Sequence, residues 1–242
     1  MKAVIVAAGR GSRLRGGRGV KPLTIVCGRT LLEHVLVSCR DAGLDGAVIV
    51  AGYRWQELKA HALDLAGRLS FPVDVVVNPG WERGNGSSLL AAAGAVDGPF
   101  ILTMSDHLFD PAIAALLRAD RMDGADLLLA VDEHLHNPLV DIDDVTKVLV
   151  EDGRIVEIGK TISNWNAFDT GVFRMTPVVF DVLSDAARGQ GELGISDAVR
   201  KLAARGRAHV RAIGERFWID VDNEAMLDLA ENALAGVRAA SA

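Results

Sequence analysis

The 242-residue chain has only two cysteines, Cys27 and Cys39. That is too few for a disulfide framework or a cysteine metal cluster, so both are expected as small buried hydrophobes. No run is long and apolar enough to span a bilayer. The N-terminus reads as a strand rather than a charged segment leading an apolar core. No membrane segment or secretory signal is therefore expected, and a cytoplasmic location is. Excess positive charge is also missing, since 26 Lys and Arg stand against 32 Asp and Glu, a net of −6. Nucleic acid is thus not an expected partner. Aromatic residues make up only 5% of the chain. There is no internal repeat, low-complexity tract or linker.

Half of the residues are hydrophobic, enough to bury a sizeable core, and the length fits one large α/β domain or two small ones. The basic residues near the start are concentrated in one place. An apolar β-rich run, Ala3 to Ala8, leads straight into a loop from Gly9 to Gly19 that ends in Lys21-Pro22-Leu23. Glycines there let the backbone approach phosphate oxygens, and Arg10, Arg13, Arg15, Arg18 and Lys21 supply the charge to hold them. A basic loop inside an acidic chain suits a small polyphosphate ligand. The spacing is not the dinucleotide fingerprint. It is also not the P-loop pattern, because no Ser or Thr follows Lys21.

Strand and helix patterns alternate through the first half, as in a parallel sheet. Strands are expected at Ala3–Ala8, Ala47–Ala51, Val73–Val77, Pro99–Met104 and Asp126–Val131. Helices are expected at Thr30–Ala42, Trp55–Leu69 and Leu89–Val96. The last of these puts Gly86-Ser87-Ser88 at a helix N-terminus, which suits either an anion or ordinary capping by a serine. Asp106 follows Ser105 just past the carboxyl end of a central strand, where α/β folds build sites. It reads as a site residue there or as a cap on the next helix. His107 reads as a structural residue, or one standing behind a ligand, more than as a direct participant. His134 and His136 have no third ligand at fixed spacing and are expected to face solvent.

Asp152-Gly153 between VTKVLVE and RIVEIG signals a hairpin. Lys147 and Lys160 could face a common pocket there or be solvated charges. A strand over Asn166–Met175 contains Asp169-Thr170-Gly171, and its glycine marks a close approach. Thr176 is expected to cap a helix over Pro177–Ala187. A helix over Ser196–Arg205, a strand over Arg207–Ile213 and a final helix from Glu224 to Val237 complete the chain. Asp222 reads as the N-cap region of that last helix. One domain spanning 1–242, with a small β-rich lobe at about 132–175, fits this pattern.

The opening stretch, Ala7-Ala8-Gly9-Arg10-Gly11-Ser12-Arg13-Leu14 followed by Val20-Lys21-Pro22-Leu23, resembles the nucleotidyltransferase signature. Val20 stands where that family usually has proline. The rest of the chain resembles the same group, and within it the CTP:L-myo-inositol-1-phosphate cytidylyltransferases. The narrower match lies in Pro99–Phe109, Val140–Lys160, Phe168–Phe173 and Phe217–Asn223. The resemblance implies a three-layer Rossmann-like GT-A fold with a mixed central sheet. It implies Mg²⁺ on Asp106 and Asp220, with Lys21, Arg13 and Asp106 as the catalytic groups. It implies CTP and inositol 1-phosphate as the small-molecule partners, and a homodimer is compatible with it. Nucleotide binding would fall to Ala8, Gly9, Arg10, Gly11, Ser12, Arg13, Lys21, Asn78, Gly84, Asn85, Ser88 and Ser105. The acceptor would meet Lys147, Lys160, Asp141, Asp169, Thr170 and Gly171. In some members a membrane domain is fused to this one; since the sequence stops soon after Val237, none is expected here.

Three alternatives stay open at this point. The acceptor could be phosphocholine or a hexose 1-phosphate, although a choline site needs aromatic faces and only Trp165, Phe168 and Trp218 offer them. The chain could be a glycosyltransferase of the same fold, which would have no need of the Gly9–Lys21 loop. It could also be a non-catalytic nucleotide sensor, which would not need to keep Arg13, Lys21, Asp106 and Asp220 together.

Overall fold

The computed structural model describes residues 1–11, 13, 14, 19–188 and 191–240. Ser12, Arg15 and Arg18, three of the residues expected to meet phosphate, lie outside that set. The chain opens with β1 (Ala3–Ala7), a short 3₁₀ turn over Lys21–Leu23, and a small hairpin of β2 (Ile25–Val26) and β3 (Arg29–Thr30). Then follow α1 (Leu31–Asp41), β4 (Ala47–Ala51), α2 (Trp55–Leu69), β5 (Val73–Val77), α3 (Asn85–Ala91) and β6 (Phe100–Met104). Next come β7 (His107–Phe109), α4 (Pro111–Ala119), β8 (Leu127–Asp132), β9 (Lys147–Glu151), β10 (Arg154–Gly159) and β11 (Ala167–Met175). The last elements are α5 (Val178–Ala187), α6 (Ile195–Ala203), β12 (Ala208–Ala212), β13 (Trp218–Asp220) and α7 (Glu224–Ala240).

Nine strands form one mixed sheet in the order β5-β4-β1-β6-β11-β8-β12-β10-β9. β1 is parallel to both of its neighbours, while β11 runs antiparallel between β6 and β8. The start of β11 also pairs with β9 through Ala167 and Phe168. The pairings β11-β8-β12-β10-β9 therefore close into a ring. The last nine residues of the expected β-rich lobe, Ala167–Met175, thus form a central strand of the sheet.

The strands read as nearly continuous apolar runs because both faces are covered. In β1, Ala3, Ile5 and Ala7 face one core, built with α1, α2, α4 and α7. Val4 and Val6 face the other, built with α3, α5 and α6. β1 and β4 are buried throughout, and each fully buried Val or Ile there contributes roughly 1.5–3 kcal/mol. The result is three layers, with the chain reversing direction across the sheet between β1 and β6. That reversal opens a crevice at the carboxyl ends of both strands.

Several local expectations shift. The helix expected at Leu89–Val96 begins at Asn85 and ends at Ala91, followed by a 3₁₀ turn over Ala93–Ala95. Gly84, at φ 95°, turns the chain early, and the Asn85 side chain accepts from the Ile195 amide at 2.8 Å. Thr176 does not cap α5 with its hydroxyl, which instead donates to Asp126 at 3.0 Å. The residue capping α7 is Asn223, whose side chain accepts from Met226 N, and not Asp222. The paired β7 and β13 and the β2–β3 hairpin were not foreseen. Neither cysteine forms a disulfide among the described residues, Cys39 being fully buried and Cys27 half-buried. His134 and His136 are exposed. No helix among the described residues is long and apolar enough to cross a membrane.

Candidate active site

A cavity of about 460 Å³ lies at the sheet reversal, within the usual range for a small-molecule site. Its floor is the end of β1 and the residues after it, Ala8, Gly9 and Gly11. Gly11 sits at φ 64°, and a Cβ there would fall 2.4 Å from Cβ of Lys21, so only glycine lets the lysine pass. Lys21 is held in the 3₁₀ turn with Pro22 and is only 8% exposed.

The end of β6 brings up the acidic wall. Ser105 N bonds to Val6 O at 3.0 Å, which sets Asp106 beside the β1 loop. The β7–β13 pairing puts Asp220 directly opposite His107. The ammonium of Lys21 lies 2.5 Å from Asp106 Oδ2 and also meets Asp222 Oδ1. Arg13 reaches across to Asp144 and Asp222, both at 2.7 Å. Lys160 meets the other oxygen of Asp144 at 2.5 Å. Three cations and four carboxylates are thus interleaved around one cavity.

Their charges follow from this crowding. Burial pulls the Lys21 pKa down, but Asp106, Asp222 and Asp220 outweigh it and hold the group above its ordinary value, fully charged. Burial pushes Asp106 and Asp222 up, but attraction to Lys21 wins and both sit below the usual carboxylate range. Asp220 goes the other way: burial and its neighbours Asp106 and Asp222 raise it despite the pull of His107. Burial alone would lower His107, yet Asp220 and Asp106 drive it up to about 10. Burial raises Asp169 to about 6.

Asp106, His107 and Asp220 each aim a donor atom into one spot, all within 4.8 Å of one another. Oδ1 of Asp220 is buried and has no hydrogen-bond partner. A buried, unpartnered carboxylate oxygen is costly, and a hard cation would satisfy it. The site therefore fits a divalent ion on Asp106 and Asp220.

Not every residue expected in the site reaches the cavity. Ala8, Gly9, Gly11, Arg13, Lys21, Asn85, Ser105, Asp106, Asp141, Lys160, Asp169, Gly171 and Asp220 line it. Arg10 instead lies over the Tyr53 ring, 5.7 Å from its centroid. Asn78 is buried and spends its amide on Ser87 and Ser88, tying the end of β5 to α3. Ser88 is buried with it, and Gly84 serves the turn before α3. Lys147 does not share the pocket with Lys160. Its ammonium is taken by the Ile142 and Lys160 carbonyls and sits over Trp165, 5.4 Å from the centroid. The Thr170 hydroxyl turns away to Ala130 O.

Two acidic residues were missed. Asp222 carries a readable signal: it stands two places from Asp220, the spacing that returns a side chain to the same face of extended chain. Asp144 sits in the run Asp141-Ile142-Asp143-Asp144, where no pattern distinguishes it.

Residues 3–152 match the family model of the MobA-like NTP transferase domain. A protein of Rubrobacter xylanophilus named bifunctional IPC transferase and DIPP synthase is 35% identical over 238 residues, 97% of this chain and 52% of that protein. One of the same name from Thermococcus kodakarensis is 33% identical over 222 residues, 91% of this chain and 48% of the relative. The chain thus spans about half the length of these curated relatives. A solved structure described as the inositol-1-phosphate CTP transferase from T. maritima superposes with a TM-score of 0.85 at 29% identity, covering 95% of this chain and 93% of that one. With a family match over more than half its length, the chain belongs to the MobA-like NTP transferases.

Proposed function

We propose that the chain is a magnesium-dependent cytidylyltransferase, which joins CTP and L-myo-inositol 1-phosphate into CDP-inositol and releases pyrophosphate. The names of the relatives and of the T. maritima structure support this choice of substrates. The observation that carries the chemistry is the Lys21 ammonium bridging Asp106 and Asp222 beside the unpartnered oxygen of Asp220. An ammonium among carboxylates that also suit a divalent ion is an arrangement for managing phosphate charge, not for acid–base chemistry.

An oxygen of the acceptor phosphate attacks the α-phosphorus of CTP in line. The new P–O bond forms as the bond from the α-phosphorus to the bridging oxygen breaks, and pyrophosphate leaves with that electron pair. The nucleophile is already an anion, so no strong general base is needed, and catalysis is positioning and charge neutralisation. Asp106 and Asp220 would hold the magnesium ion, which supplies Lewis-acid neutralisation of the α-phosphate when bound. Lys21 stabilises the transferred phosphoryl group. Arg13 and the backbone of Gly9 to Gly11 hold the leaving pyrophosphate, while Asn85 and the Ala8–Gly9 backbone face the base. Lys160 meets the acceptor phosphate, and Asp169 or Asp141 takes inositol hydroxyls. Both halves of the chain contribute to this one cavity, which supports treating residues 1–242 as one catalytic unit.

A choline acceptor is disfavoured. Trp165 already carries the Lys147 ammonium, Phe168 is fully buried, and Trp218 is buried with its indole N–H on Asp132 at 2.8 Å. The test is phosphorus NMR of a reaction holding CTP, magnesium and inositol 1-phosphate. A new diphosphate diester with free pyrophosphate is expected, and neither should form when inositol 1-phosphate is omitted. If CTP is left intact by a folded sample, the proposal fails.

A further inference from the structure

We propose that His107 is a positioning residue: wedged between Thr170 and Asp220, it fixes the rotation of the Asp220 carboxylate at the cation position. This rests on the reading of Asp106 and Asp220 as the carboxylates that hold it. Directly opposed residues of an antiparallel pair project to the same side, and His107 and Asp220 are such a pair in β7 and β13. The imidazole is 14% exposed and contacts protein on both nitrogens. Nδ1 lies 2.9 Å from the Thr170 carbonyl. A carbonyl can only accept, so Nδ1 carries a proton and donates it. Nε2 faces Asp220 Oδ2 at 3.4 Å and Asp106 Oδ1 at 4.0 Å. Oδ2 of Asp220 is thereby engaged, and Oδ1 is the oxygen left without a partner.

The backbone behind the imidazole is shaped to receive it. The β11–β8 register shifts between Asp169 and Phe173, which bulges the chain at Thr170-Gly171. Gly171 takes φ 74°, and a Cβ on it would lie 2.1 Å from His107 Nδ1, so a side chain here would occupy the imidazole's own space. The bulge is pinned on both flanks. Thr170 Oγ1 donates to Ala130 O at 2.8 Å, and Gly171 N donates to Asp169 Oδ1 at 2.7 Å. A rigid carbonyl thus fixes the ring, and the ring fixes the carboxylate, as groups behind metal ligands commonly do.

Two amide variants separate this from packing. In His107→Gln the amide nitrogen can stand near the position of Nε2 and still donate toward Asp220. In His107→Asn it stands near Nδ1 and can serve only Thr170. Manganese(II) binding, read from loss of the free-ion paramagnetic signal with and without CTP, is measured on wild type, both variants and Asp220→Asn, with melting temperatures as the check on folding. His107→Asn is expected to bind about 10–100-fold more weakly, and His107→Gln close to wild type. The inference is overturned if His107→Asn binds as wild type does while Asp220→Asn has lost the ion. It is equally overturned if His107→Gln is as weak as Asp220→Asn. If Asp220→Asn itself binds like wild type, the carboxylate reading falls and the role of His107 falls with it.

Discussion

Lys21 and Asp106 are 85 residues apart in sequence, yet their charged atoms lie 2.5 Å apart. The contact is mostly buried and shared with Asp222, so neither charge is free to be lost without exposing the other. Removing either should cost about 3–4 kcal/mol of transition-state stabilisation, or roughly 10²–10³ in turnover. Lys21→Ala and Asp106→Ala are expected to keep the fold by circular dichroism and to lose kcat on that scale. Near-normal turnover in either one would remove it from the catalytic set.

Asp144 is expected to compete with substrate for two cations of the cavity. It holds Arg13 at 2.7 Å and Lys160 at 2.5 Å, and both bases are more than half exposed. Such pairs are worth about 0–1 kcal/mol. Asp144→Asn should therefore tighten CTP binding by up to about fivefold in calorimetry at low salt, with the gain shrinking as salt rises. Weaker CTP binding would mean that Asp144 orients Arg13 rather than restraining it.

The fold was largely legible because burial on both faces writes itself into sequence as apolar runs. β1, β4 and α2 fall where periodicity put them, as do the hairpin turn at Asp152-Gly153 and the strand of Ala167–Met175. The glycine-rich loop and Asp106 were expected at one site and do line one cavity, because each follows the carboxyl end of one of two adjacent parallel strands. What sequence could not give was direction. Lys147 and Lys160 look alike as letters, but Lys147 is turned inward onto carbonyls while Lys160 faces the cavity. Asn78 and Ser88 were expected to meet the nucleotide, yet they bond to each other. Asp222 was assigned to capping because a carboxylate before a helix usually caps it, whereas the tertiary pull of Lys21 and Arg13 claims it and Asn223 caps instead.

Asp169 predicts a pH signature. Burial raises it to about 6 in the fold, above its value of about 3.9 in an unfolded chain. Below the unfolded value both states hold the proton and nothing is lost. Between the two values only the folded state keeps it, so stability falls as pH rises through that window and stays lower above it. Asp169→Asn copies the protonated form and can still accept from Gly171 N. It should stabilise the protein by about 2–3 kcal/mol at pH 7 and by little near pH 4, read from urea unfolding at both values. Loss of activity with inositol 1-phosphate should accompany the gain. An equal effect at both pH values would contradict the raised pKa.

Gly171→Ala places a methyl where the imidazole of His107 lies and forces a non-glycine residue to φ 74°. The backbone penalty alone is about 1–3 kcal/mol. Thermal unfolding should show that loss. The surviving folded protein should also need more magnesium for half-maximal rate, because His107 is displaced from Asp220. A stability loss with an unchanged magnesium requirement would confine Gly171 to a structural role.

The most direct test crosses CTP, UTP, dTTP and ATP with inositol 1-phosphate, phosphocholine and glucose 1-phosphate, reading magnesium-dependent pyrophosphate release. Release confined to CTP with inositol 1-phosphate is the expected result. Release with glucose 1-phosphate or phosphocholine in its place would keep the Lys21–Asp106 chemistry and contradict the acceptor. Silence in every combination from a folded sample would contradict the transferase itself.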